Sequence, residues 1–169
     1  MSDSRREDRR RRYLSLGVGE FVAAAVFVVV AMTTLAARYE GSNGAAALWC
    51  ALVPLLVILA QGGAYWLLAR AWVGRAAMPA GLASLYRGFR IIDPALLALG
   101  AVGIVALRPG NVGPLVVAVA IWLFGVVEYV NYFVVRLAFP VSRWVEGVAQ
   151  QRTPQLVKDL RGTISSVAA

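Results

Sequence analysis

Histidine is absent from this 169-residue chain, and cysteine and lysine each occur once, at Cys50 and Lys158. Without an imidazole there is no His-based general base and no His-ligated metal, and a lone thiol forms neither an internal disulfide nor a thiolate cluster. Acidic residues are also scarce, nine against 17 basic ones, and they are scattered along the chain. No GxSxG, HExxH or GxxxxGK[ST] segment is present. An enzymatic role is therefore not expected, and neither is a resident metal or cofactor.

What the chain has in abundance is apolar surface. Hydrophobic residues make up 60% of it, far more than a water-soluble fold of this length can hide. They concentrate in four blocks, about 17–37, 45–68, 91–107 and 114–138, and three of the four reach the roughly 20 residues a bilayer-spanning helix needs. The fold class expected is an all-α membrane protein of four transmembrane helices, residues 13–140, with cytoplasmic amphipathic helices. A basic cytoplasmic tail over residues 1–12 precedes them. The first block is too long for a signal-peptide core and reads as a retained span.

The arginines set the expected topology. If all four blocks cross, 15 of the 17 basic residues fall on one side, leaving Arg38 and Arg108 for the other. The positive-inside rule then puts both termini in the cytoplasm. Ala, Val, Gly and Arg are abundant and lysine nearly missing, a balance that suggests a high-GC genome and so the bacterial cytoplasmic membrane. The net charge of +8 points to an anionic inner leaflet as partner rather than nucleic acid, because the charges flank apolar spans and no nucleic-acid-reading motif accompanies them. A membrane protein partner or a second copy of the chain is the other expected contact.

Local signals predict the boundaries. Gly41-Ser42-Asn43-Gly44 and Arg108-Pro109-Gly110 are turn-rich links. Asp93-Pro94 reads as the start of the third span, with Asp93 as N-cap and proline at the first helical position. That leaves the third span only about 21 Å of helix, short of the roughly 30 Å hydrocarbon core unless Ile91 and Ile92 join it. Three segments read as amphipathic helices at headgroup level: Leu82 to Ile92, Val141 to Val148, and a third after Thr153-Pro154 with Leu156, Val157, Leu160 and Ile164 along one side. Tyr13, Tyr39, Trp49, Trp66 and Trp144 read as interfacial anchors, and Trp122 as packed between helices.

The fourth block holds the stretch most able to carry chemistry. Glu128, Asn131 and Tyr132 share one helix face, with Arg136 a turn further on, opposite an apolar face of Leu123, Val126, Val130, Phe133 and Leu137 expected to meet lipid. Rise per residue puts Gln61 and Tyr65 of the second block at a similar depth, with Gly62-Gly63 allowing close approach, and brings Glu20 level with Arg136. A Glu20–Arg136 pair near the cytoplasmic edge, with Glu128, Asn131, Tyr132, Gln61 and Tyr65 deeper, is the candidate network. Polar groups between membrane helices often only fix packing. A carboxylate deep in a bilayer is costly, however, and Glu128 is the residue most suited to a functional role. The first expectation for function is a small accessory or scaffold subunit binding a membrane partner or lipid. The alternative is a small transporter or channel with Glu128 as its proton or cation site.

Overall fold

Alanine, leucine and valine fill the apolar blocks with few helix-breaking residues, and helices follow. The computed structural model describes residues 3–36, 43–135 and 153–167. Among them α1 spans Asp3–Val30 and runs on through a π-helical turn, Ala31–Ala36; α2 spans Asn43–Trp72, α3 Ala80–Leu107, α4 Val112–Phe133 and α5 Gln155–Val167. The described residues contain no strand. The first four helices are long and apolar enough to cross a bilayer.

The bundle is built around α2, which packs against α1, α3 and α4. Its Leu48, Leu52, Leu55 and Leu59 face Ala31 and half-buried Phe27 from the first helix and Val117 and Ile121 from α4. Ala47 and Ala51 meet Ile104 of α3 and Ala118 of α4. The other helices keep large apolar side chains outside, including Val22, Val26 and Val29 on α1, Leu99, Val102 and Val105 on α3, and Val116, Leu123 and Val127 on α4. A surface of this kind is costly to expose to water and is stabilised in hydrocarbon.

Small residues set the closest approaches. A Cβ built on Gly62 would lie 2.5 Å from the ring of Tyr132, and one on Gly63 would lie 2.8 Å from the ring of Phe21. The glycine pair therefore lets α4 and α1 lean on α2 from two sides.

The third span differs from its expected form. The helix begins at Ala80, so the segment from Leu82 to Ile92 is its first half rather than a separate amphipathic helix, and α3 has 28 residues instead of the expected 14. At 1.5 Å per residue that is about 42 Å, and no local thinning of a bilayer is needed to span it. Pro94 lies inside the helix, and Asp93 is fully buried rather than an N-cap. Proline has no N–H, so the Arg90 carbonyl four residues earlier loses its usual donor. The hydroxyl of Tyr129 on α4 donates to that oxygen at 3.0 Å. Pro54 leaves the Cys50 carbonyl in the same position within α2, and there Gly100 of α3 packs so closely that a Cβ would come within 2.5 Å of the oxygen.

One end of the bundle is basic. Arg6 Nε donates to the Val73 carbonyl at 3.2 Å, tying the start of α1 to the α2–α3 link, and α5 docks beside it. At the far end Asn43 Nδ2 donates to the Leu107 carbonyl at 2.7 Å and closes α2 onto α3.

α5 has the expected amphipathic stripe but turns it inward. Its stripe of Leu156, Val157 and Leu160 is buried, with Leu156 and Leu160 in the same cluster as Tyr65, Trp72, Tyr86, Leu97 and Phe133, so it packs on protein instead of lying free at a headgroup layer. The same docking covers Phe133, which is 3% exposed. The outward face of α4 is therefore rotated from the expected one: Leu123 and Val127 are exposed while Val126 and Val130 are half-buried. The helix expected at Val141, Trp144, Val145 and Val148 lies outside the described residues, as does Leu137.

Candidate functional site

The polar side chains expected to form one network separate into three groups around the basic-end half of α2. Each group is fixed by a different neighbouring helix.

On the α1–α4 side, the Tyr132 hydroxyl donates to Glu20 Oε1 and accepts from Trp66 Nε1 at 3.1 Å. Tyr132 reaches this position because Gly62 leaves room for its ring. Glu128, one turn earlier on α4, accepts a hydrogen bond from Asn131 and lies close enough to Glu20 to feel its charge. A cavity of about 90 Å³ opens between α1, α4 and the start of α5, with Glu20, Asn131 and Tyr132 in its wall. Glu128 stands behind Asn131 and is not among the residues lining it.

On the α3 side, Gln61 Nε2 donates to Asp93 Oδ1 at 3.0 Å, and the Tyr86 hydroxyl donates to the Gln61 backbone carbonyl at 2.9 Å. Asp93 is 0% exposed, and its Oδ2 and the Gln61 Oε1 are both buried without a hydrogen-bond partner. Trp122, expected between helices, lies there and donates its indole N–H to the Leu97 carbonyl at 2.8 Å.

At the basic end, Asp159 of α5 gathers three donors: Tyr65 Oη at 2.9 Å and Trp72 Nε1 at 3.1 Å on Oδ2, and Gln155 Nε2 at 2.8 Å on Oδ1. Hydrogen bonds to a carboxylate are stronger than neutral ones, so this contact pins α5 to α2. Tyr65 is thus a docking residue for α5, and its ring meets that of Tyr86, the donor to the Gln61 carbonyl, edge-on with centroids 5.8 Å apart. Arg136 lies outside the described residues, and with it the expected Glu20–Arg136 pair.

Sequence reasoning passed over three of these residues. Asp93 was masked by Pro94, whose usual meaning is a helix start, although the apolar spacing of Leu82, Leu85, Tyr86 and Phe89 runs unbroken into it. Asp159 sits four residues after Gln155, a helical hydrogen-bonding spacing that nothing in the sequence ties to α2. Trp66, expected as an interfacial anchor, also joins the Tyr132–Glu20 pair, and its ring lies tilted against that of Tyr13 with centroids 5.0 Å apart.

Two further cavities adjoin the first. One of about 220 Å³ is lined by Arg9, Arg12, Tyr13, Leu16, Trp66 and Gln155. Another of about 110 Å³ has Arg9, Tyr13, Trp72, Gln155 and Asp159 in its wall. Among the described residues no three Cys, Asp or Glu side chains come together in a group able to hold a metal ion. No protein family, curated protein or solved structure matches the chain.

Proposed function

We propose that the protein is a small multi-pass accessory or scaffold subunit of the bacterial cytoplasmic membrane, with both termini in the cytoplasm, that engages anionic lipid or a membrane partner at its basic end. The observation carrying this reading is the division of the surface. The flanks of the bundle are apolar, while the arginines of α1, together with Arg70, Arg75, Lys158 and Arg161, gather where α5 docks. Juxtamembrane arginines of this kind gain on the order of 1 kcal/mol each from an anionic leaflet. Since α5 turns its apolar stripe onto the bundle, the contact among the described residues falls to the start of α1. Phospholipid co-extracted with the protein in mild detergent should be enriched in anionic headgroups relative to the bulk membrane. A bulk composition would refute the reading.

A transporter is the second reading, and the cavity reaching Glu20 favours it. It adjoins both arginine-lined cavities, sharing Leu16, Trp66 and Gln155 with the larger and Gln155 with the smaller, while leucines of α2 close the far half of the bundle. In this reading Glu20 meets the solute first and Glu128 follows through Asn131. Glu128→Gln should then abolish ion-dependent flux in reconstituted vesicles with the helical fold intact. Unchanged flux in every assay excludes it.

A further inference from the structure

Two arginines of α1 line a cavity without an ion-pair partner among the described residues. Arg10 and Arg11 approach Glu7 at 4.0 and 3.7 Å. Arg9 and Arg12, three residues apart and so on one face of the helix, form no ion pair among the described residues. Both line the 220 Å³ cavity between α1, α2 and α5, which has no acidic residue in its wall among the described residues. Asp159, the acid of the adjoining cavity, already accepts from Tyr65, Trp72 and Gln155 on its two oxygens. Among the described residues the wall of this cavity therefore carries two guanidinium groups and no acid, while Asp159 stands in the adjoining cavity that Arg9 also lines.

We infer that this cavity holds the phosphate of an anionic phospholipid, with the guanidinium groups of Arg9 and Arg12 as its grip. Guanidinium forks match phosphate oxygens in pairs, which a lysine does not reproduce. The rest of the wall suits a lipid better than a free phosphate. The Tyr13 and Trp66 rings, with centroids 5.0 Å apart, are side chains that favour the headgroup level, and Leu16 supplies an apolar surface where the headgroup gives way to acyl chains. The volume is below the roughly 300–1,000 Å³ of sites for drug-sized ligands, so a headgroup fits and a larger solute does not. Gln155 brings α5 into the site, so a bound headgroup also bridges α5 to α1.

This assignment rests on the proposed membrane reading but fails separately from it. The test is native mass spectrometry of the full-length protein in detergent, titrated with phosphatidylglycerol or phosphatidylcholine. Three double variants are compared with the natural chain: Arg9→Gln with Arg12→Gln, Arg9→Lys with Arg12→Lys, and, as an equal change of charge outside the cavity, Arg5→Gln with Arg11→Gln. Arg5, Arg9, Arg11 and Arg12 are all exposed, and circular dichroism checks that each variant keeps its helices. The cavity glutamine pair should lose about 30-fold in affinity for phosphatidylglycerol. The lysine pair should lose less, and the outer pair less than threefold.

Equal losses from the cavity and outer glutamine pairs would overturn the site and leave the general attraction to anionic lipid standing. No preference for phosphatidylglycerol over phosphatidylcholine in the natural chain would sink both. Displacement of the lipid by glycerol 3-phosphate at comparable concentration would assign the cavity to a soluble phosphate and overturn the lipid assignment.

Discussion

A carboxyl group with no water in reach has to find its partners within the chain, and Asp93 finds half of them. Its Oδ1 accepts from Gln61, while Oδ2 and the Gln61 Oε1 stay unpaired. Asparagine has the same shape and carries both a donor and an acceptor, so it can complete a two-way amide pair with Gln61. Asp93→Asn should therefore leave thermal stability in detergent unchanged or higher. Asp93→Leu should destabilise by about 1–3 kcal/mol, because it strands the Gln61 amide in the core. If both substitutions cost the same, the pair is not what holds α3 to α2 at this level. Asp93 also marks the limit of reading the residue scale from sequence. Its identity was plain, but whether Asp-Pro starts a helix or sits within one depends on neighbours that only the folded chain supplies.

At the scale of a helix, Pro94 and Pro54 each remove a donor from an element that continues through them. Each freed carbonyl is met from a neighbouring helix, Arg90 by Tyr129 and Cys50 by Gly100. Tyr129→Phe should cost about 1 kcal/mol in the natural chain. In a Pro94→Ala background, where the backbone N–H returns, the same change should cost almost nothing. Equal costs in the two backgrounds would mean that Tyr129 does not compensate for the proline.

α5 supplies the second prediction at this scale. Its three buried apolar side chains and the two hydrogen bonds that Asp159 accepts from Tyr65 and Trp72 of α2 make it part of the core. Asp159→Ala should lower stability by about 2–3 kcal/mol and increase proteolysis within residues 153–167, since it leaves buried Tyr65 and Trp72 donors unpaired. Stability like that of the natural chain would show α5 to be a surface appendage. Four long helices were legible in the sequence, because runs of apolar residues are a local property. The extension of α3 back to Ala80, the rotation of α4 and the docking of α5 were not. Each depends on which side chain of one helix meets which of another, and periodicity alone does not report that.

At the scale of the whole molecule, the bundle is apolar outside along its length and basic at one end. α2 is buried by its neighbours, while α1, α3 and α4 expose valine and leucine outward. The even number of long helices returns the chain after α4 to the end where α1 starts, and α5 packs there against α3 and α4. This is why the division of arginines expected from sequence and the observed arrangement of helices lead to the same proposed topology. The candidate site follows from it: Glu20, Tyr132 and the arginine-lined cavity all open at the basic end, so any lipid or solute that reaches them comes from that side.

In the proposed topology the chain crosses the membrane four times with its basic end in the cytoplasm, which reporter fusions in a bacterial host can check. Green fluorescent protein placed at either terminus should fluoresce, and alkaline phosphatase inserted at Gly110, in the link between α3 and α4, should be active. An active phosphatase at the carboxyl terminus together with a dark fluorescent fusion there would contradict the four-crossing account.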